Sequence, residues 1–422
     1  MIRKGLSLTH QIFIGLAVGI AIGYYLPDFA TSIGWIRDVF LHLIKLIIAP
    51  LVFATVVIGI AGGGHGNSIG RLGLRSLIYF EVVTTLALAA GLLVVNIMQP
   101  GTGVHLVGDP GTLGSIAENH PKSLIETIVH IFPTSVIDAM AKGDVLQIVT
   151  FSVLFGIAVS KIGDRGRPII QFCESLAQTM FTFTNMIMKF APFGIGAAMA
   201  ATIGHQGLDI LEKLLLLIAA LYITLVLFVV VVLGTVAMIA RVPLRQFIDA
   251  IREPFVLAFV TTSSESALPM AMERMEAFGV PKRIVGFVMP AGYTFNLDGT
   301  TLYLAMASVF VMQAIASTVP GFTFGIEQQI SMMLALIITS KGVAAVPRAS
   351  LVILLATLGS FLPDNLKHYG PIAVAMIFGV DEFMDMARTS VNLLGNCLAT
   401  VVMARWEGEF DEEKAQAYRT LR

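Results

Sequence analysis

The sequence predicts an all-α integral membrane protein, with eight transmembrane helices plus two opposed re-entrant helical hairpins related as inverted repeats. Three observations predict it. Only 13% of the 422 residues are charged, 56% are hydrophobic, and the mean hydropathy is +0.83. A soluble domain carries roughly 25% charged residues, and so few charges cannot cover a soluble surface of this size. Apolar stretches near the roughly 20 residues that cross hydrocarbon recur along the chain. Two further segments have polar middles and like flanks at both ends, which a simple crossing does not produce.

The charges nearly cancel, 27 Lys and Arg against 28 Asp and Glu, for a formal net charge of −1. That excludes a nucleic-acid partner, which needs clustered basic surface, and a disordered chain. Cys173 and Cys397 both sit in apolar surroundings, which rules out a disulfide framework. The eight histidines show no zinc spacing.

The predicted spans are residues 12–26, 39–61, 77–98, 145–159, 169–193, 211–239, 284–316 and 372–402. Residues 226–232 are rich in β-branched side chains, yet the length and context of their segment favour a lipid-facing helix. The first segment is expected to stay as a span, because no small-residue cleavage site follows Arg3 and Lys4. Basic residues alternate between connections: Arg3 and Lys4, then Arg71 and Arg75, then Lys161, Arg165 and Arg167, then Arg241 and Arg245. This places the N-terminus and the charged tail 405–422 in the cytoplasm.

Residues 247–275 are flanked by Arg241 and Arg245 and by Lys282 and Arg283, and they enclose Thr261-Thr-Ser-Ser-Glu-Ser266. A hairpin entering from the cytoplasm, with a protein-shielded polar tip, satisfies both facts. Residues 328–362 have outer flanks nearly free of basic residues and a polar middle from Ser340 to Ser350, and so enter from outside. Opposed hairpins meeting near the midplane suggest an inverted repeat around a binding site. The alternative is that Ser, Gly and Pro merely kink ordinary spans.

Within the last span, Asp381, Asp385, Arg388, Asn392 and Asn396 are spaced by four, three, four and four, and so share one helix face. Ionisable groups at this depth must be paired or face a polar cavity. Read functionally, Arg388 grips a substrate carboxylate with two bonds and Asp385 accepts from an ammonium, which together describe an acidic amino acid. Read structurally, Asp385 and Arg388 are an ion pair that staples helices. Asn296-Leu-Asp-Gly-Thr300 in mid-span predicts a broken helix able to bind a cation or face a ligand. Glu81, in Tyr79-Phe-Glu-Val-Val-Thr84-Thr85, and Glu265 at the first hairpin tip are candidate proton carriers. Lys341 is either a fixed internal cation or a residue snorkelling to the outer surface.

Together, Ser263-Ser-Glu-Ser-Ala-Leu-Pro269, Asn296-Leu-Asp-Gly-Thr300, Ser340-Lys-Gly and Asp385-Met-Ala-Arg-Thr-Ser-Val-Asn392 resemble the glutamate transporter family (dicarboxylate/amino acid:cation symporters), most of all its bacterial proton/glutamate branch. The resemblance implies a homotrimer in the cell (inner) membrane, with a transport domain sliding as an elevator against a scaffold. It divides the chain into 1–75 and 143–206 (scaffold and trimer contacts), 76–142 (third helix and outer connection), 207–245 (sixth helix), 246–405 (transport core) and 406–422 (cytoplasmic tail). It implies that Arg388 binds the side-chain carboxylate and Asp385 the amino group. Asn392, Ser264 and the backbone near Val346 would take the main-chain carboxylate, with Ser263, Ser350, Thr300 and Thr389 lining the pocket. Glu81, Thr84, Thr85, Glu265, Gly292, Asn296, Asp298, Lys341, Asp381 and Asn396 match ion-coupling or supporting positions, and Arg348 stands at a gate.

The chain departs from sodium-coupled relatives at Leu297, Asn396, Glu81 and Lys341, and Thr262 replaces an arginine of the first hairpin. A lost carboxylate, an added ammonium and an added acid all favour protons over sodium. The expectation is therefore a symporter, not an enzyme, that imports L-glutamate or L-aspartate with protons and uses no cofactor or bound metal. The alternatives are a C4-dicarboxylate symporter and a sodium-coupled acidic amino acid symporter. Neither a channel filter nor a nucleophile with a histidine base is visible.

Overall fold

The computed structural model describes residues 8–61, 67–106, 129, 132–142, 144–340 and 349–418, and no strand occurs among them. The first half comprises α1 (Leu8–Tyr25), α2 (Pro27–Ser32), α3 (Gly34–Ala61), α4 (Asn67–Met98), α5 (Val136–Lys142), α6 (Val145–Lys161), α7 (Arg167–Met188), α8 (Ala191–Gln206) and α9 (Asp209–Leu227). A π-helical turn, Phe228–Leu233, joins α9 to α10 (Gly234–Ile239). There follow α11 (Leu244–Thr261), α12 (Ser264–Ala277), α13 (Lys282–Phe295), α14 (Asp298–Thr318), α15 (Ile326–Thr339), α16 (Ala349–Phe361), α17 (Tyr369–Phe378), α18 (Asp381–Glu407) and α19 (Glu412–Ala417).

Two sets of helices pack closely among the described residues. In the first, α1 lies along α8, and α3 lies along α6 and α7. Gly15, Gly19 and Gly23 recur every four residues, and a Cβ on any of them would collide with the backbone of Pro192, Gly196 or Ala200. Small residues on one stripe let helix backbones approach closely, which is how helices associate where lipid removes the hydrophobic drive between them. In the second group, α4 and α18 flank α14, and α11 lies against α12 and α18. Nearly every residue from Asp298 to Ile315 is buried, as expected of a helix that is apolar all round.

Polar side chains pin this second group. Asn96 of α4 and Gln329 of α15 exchange amide hydrogen bonds of 2.6 and 3.0 Å. The stretch after α4 is strapped to α14. Gly101 N donates to Gln313 Oε1 at 3.0 Å, Gly103 N to Ser317 Oγ at 2.9 Å, and Leu106 N to Thr318 Oγ1 at 2.8 Å.

By length and composition, Arg71–Met98, Asp209–Ile239 and Lys282–Thr318 can each cross a membrane. Gly163–Met188 and Ala191–His205, bent by 53°, make a fourth if read as one broken span. Large apolar side chains such as Leu215, Val226, Val230, Ile248 and Val260 stand exposed, a surface suited to lipid or a partner rather than water.

The structure corrects two predicted spans. Residues 169–193 do not run as one helix: α7 ends at Met188 and α8 begins at Ala191 with Pro192 in its first turn, where a missing N–H costs nothing. Residues 372–402 are likewise divided, because α17 ends at Phe378 and α18 starts at Asp381. The tail also does more than carry charge. Asp411 N donates to Gly279 O at 3.0 Å, Phe410 and Tyr418 pack on Phe278, and Glu407 pairs with Arg71 and Arg75.

Candidate functional site

The predicted stripe is present and lies inside the protein. Asp381, Asp385, Arg388, Asn392 and Asn396 of α18 are all buried. The break before Asp381 puts that residue and Glu382 in the first turn of α18. There the unsatisfied N–H groups and the helix dipole favour acids.

Arg388, 1% exposed, is the centre of the stripe. Its Nη1 and Nη2 donate to the two carboxylate oxygens of Asp381 at 2.7 and 3.0 Å. Its Nε donates to Asp385 Oδ1 at 3.0 Å, an oxygen that also accepts from Thr389 Oγ1 at 3.1 Å. The guanidinium carbon stands 4.1 Å from the ring centroid of Tyr303 on α14, a cation–π contact. Sequence reasoning missed Tyr303. Its signal was a lone aromatic hydroxyl three residues, one helical turn, beyond Thr300. Asp381, which the resemblance groups with ion coupling, stands here as the two-bond counter-ion of Arg388.

The predicted helix break falls at Asn296–Leu297, between α13 and α14. Leu297 has no side-chain acceptor to cap α14, so a neighbouring helix supplies one. Thr300 N donates to Asn392 Oδ1 at 3.1 Å, and Asn392 Nδ2 donates to Thr300 Oγ1 at 2.8 Å. One turn further along α18, Asn296 Nδ2 donates to Asn396 Oδ1 at 3.1 Å and to Asp298 Oδ2 at 3.3 Å. Asn296 Oδ1 and Asn396 Nδ2 are buried with no hydrogen-bond partner among the described residues. Gly292 faces Asn396, Gly299 faces the Arg388 backbone and Gly395 faces Asp298, each too closely for a Cβ. The glycines let three helix segments meet around one carboxylate and two carboxamides. Among the described residues, no three His, Cys, Asp or Glu side chains could hold a metal ion.

The first hairpin is α11 and α12, which turn at Thr262 in the left-handed region, φ 51°. Ser263 caps α12 by accepting from Ser266 N at 3.3 Å. Ser264 reaches α18, its Oγ donating to Thr389 O at 3.4 Å, and Tyr293 Oη donates to Ser264 O at 3.1 Å. The tip thus touches the Arg388 stripe. The Glu265 side chain lies outside the described residues, as do Lys341, Val346 and Arg348 of the second hairpin. In the first turn of α16, Ser350 is buried and its hydroxyl has no hydrogen-bond partner among the described residues.

Glu81 is not brought to this site. The face of α4 turned to the protein interior carries Tyr79, Phe80, Val83, Thr84 and Ala87, all buried, whereas Glu81 is exposed and Thr85 half-buried. Two residues are about 200° around a helix, so Tyr79 and Glu81 point apart. Tyr79, which sequence reasoning passed over, is buried on that inner face. Thr84 Oγ1 donates to Phe80 O at 2.7 Å within its own helix.

Chemically, the interior holds a guanidinium between two carboxylates, beside a cluster of amides and one acid. The first set can bind a small ion bearing both carboxylate and ammonium, and the second presents oxygens to a hard cation or a proton. The model of the sodium:dicarboxylate symporter family matches residues 8–406. The chain is 44% identical to the proton/sodium-glutamate symport protein of Geobacillus stearothermophilus, over 98% of each chain. It is 43% identical to the protein of that name from Bacillus subtilis, over 99% of this chain and 96% of the relative. It is 41% identical to the C4-dicarboxylate transport protein of Laribacter hongkongensis, over 97% and 92%.

Proposed function

Because this chain belongs to the sodium:dicarboxylate symporter family, we propose that it is a glutamate symporter that imports L-glutamate or L-aspartate with protons. The observation that carries the reading is the buried set Asp381, Asp385 and Arg388. A C4-dicarboxylate offers no cation to Asp385, whereas an acidic amino acid offers an ammonium to it and a carboxylate to Arg388. Asn392, Thr300, Thr389 and Ser264, joined to one another or to the same stretch of α18, complete the binding surface. Ser263, Ser350 and Val346 flank it in sequence, with Arg348 at the gate.

Proton coupling draws support from Asn396, which puts a carboxamide beside Asn296 and leaves Asp298 as the carboxylate of that cluster. Sodium remains the alternative ion, since the relatives from Geobacillus and Bacillus are named for both.

In this reading the protein spans the cell membrane eight times, with two re-entrant hairpins, and assembles as a homotrimer. The α1, α3 and α6–α8 group forms the scaffold, and the group around α14 and α18 slides against it. The test is uptake of labelled glutamate into sodium-free proteoliposomes under an inward proton gradient. Uptake that needs sodium overturns proton coupling, and succinate outcompeting glutamate overturns the substrate.

A further inference from the structure

A guanidinium offers a carboxylate two edges for paired hydrogen bonds, the Nη1/Nη2 end and the Nε/Nη2 side. In Arg388, Asp381 fills the first edge and Asp385 holds Nε of the second. Tyr303 covers a face. Neither edge is open to an arriving carboxylate.

The two aspartates are not equivalent. Asp381 makes two bonds and opens α18, where the helix terminus stabilises its charge. Asp385 makes one bond to the guanidinium from an oxygen it divides with Thr389, and sits a full turn into the helix. Asp385 is the partner that exchanges at lower cost.

We propose that Asp385 gates Arg388: it covers the Nε/Nη2 edge until the ammonium of an acidic amino acid draws it away, so ammonium and carboxylate bind cooperatively. In that exchange Asp385 trades a guanidinium for an ammonium, Arg388 trades Asp385 for the substrate carboxylate, and no buried charge loses its partner. A dianion without an amino group gains the edge only by taking the guanidinium bond of Asp385 and offering no cation in return, a costly exchange. The proposal rests on the glutamate symporter reading. It adds that Asp385 is the occupant that turns away a carboxylate arriving alone, as well as the acceptor for the ammonium.

Glutamate and glutarate, which differ by the amino group, are the probes. Their binding is measured by calorimetry on the purified native chain and on Asp385→Ala and Asp385→Asn. Glutamate should weaken at least tenfold in Asp385→Ala. Glutarate should tighten about tenfold, the worth of one charge-assisted hydrogen bond recovered at the guanidinium. In Asp385→Asn the amide oxygen still occupies Nε, so glutarate should gain clearly less than in Asp385→Ala. An acceptor for the ammonium alone leaves glutarate binding unmoved by Asp385→Ala, and that result overturns the gate. Equal gains in the two variants trace the effect to charge repulsion and overturn it too. Melting temperature reports folding, and Asp385→Ser replaces Asp385→Ala if the latter unfolds. The symporter reading fails separately, if native proteoliposomes take up no glutamate, while the gate is still decided by glutarate.

Discussion

Asn392 and Thr300 close a two-bond ring between α18 and α14, with the Thr300 N–H and hydroxyl both engaged by one carboxamide. The ring caps α14 from outside its own chain segment and fixes the height of the Arg388 stripe against the helix break. Asn392→Ala leaves a buried backbone N–H without its acceptor, which costs about 1–3 kcal/mol. The melting temperature should fall and glutamate uptake should drop with it. An unchanged melting temperature would show that water replaces the ring at no cost.

Close approach makes a second prediction. A Cβ at Gly395 would collide with the Asp298 carboxylate, and one at Gly299 with the Arg388 backbone. Gly395→Ala and Gly299→Ala should each destabilise by about 1–3 kcal/mol, as overpacking does. Gly286→Ala on exposed α13 surface, where a Cβ meets nothing within 4 Å, is the matched control and should lose no stability. Parallel thermal melts of the three variants decide it.

The third prediction concerns Glu81. Its side chain projects from the exposed face of α4, turned from the buried face that carries Tyr79, Phe80 and Val83. Glu81→Gln should therefore leave the protons moved per glutamate unchanged in a proteoliposome flux assay. A changed ratio would place the carrier on that outer face after all.

Beyond the apolar stretch of α18, the Arg71 guanidinium, joined by Arg75, holds the Glu407 carboxyl below its ordinary value of 4.5. A group whose value is depressed on folding adds stability above its unfolded value, and that contribution disappears as pH falls through the folded one. Lowering the pH from 5 through this range should loosen the docked tail. Glu407→Gln should abolish this part of the pH dependence, read as protease sensitivity of the segment after Trp406, while changing overall stability by less than about 1 kcal/mol. Tail cleavage with the same pH profile in both proteins would remove Glu407 from the account.

Much of this was legible in the sequence because it depends on local periodicity. Spacings of four, three, four and four set five polar residues on one helix face whatever surrounds them. Asn-Leu-Asp-Gly breaks a helix because Asn and Gly favour turns and Asp can start the next segment. The turn at Thr262 fell within a run of Ser and Thr. The start of α18 at Asp381 was less legible, because residues 372–402 are apolar enough to read as continuous.

The sequence by itself determined that this is an apolar, helical chain whose last helix carries one guanidinium among acids and amides, since helical pitch converts spacing into a face. Only the tertiary structure decided which partner each of those groups takes. Two aspartates bind Arg388, Tyr303 comes to it from 85 residues earlier in the chain, at position 303 against 388, and Tyr79 rather than Glu81 looks inward. Those outcomes depend on how helices rotate and approach, which close-packed glycines and paired buried charges settle and which no single segment specifies.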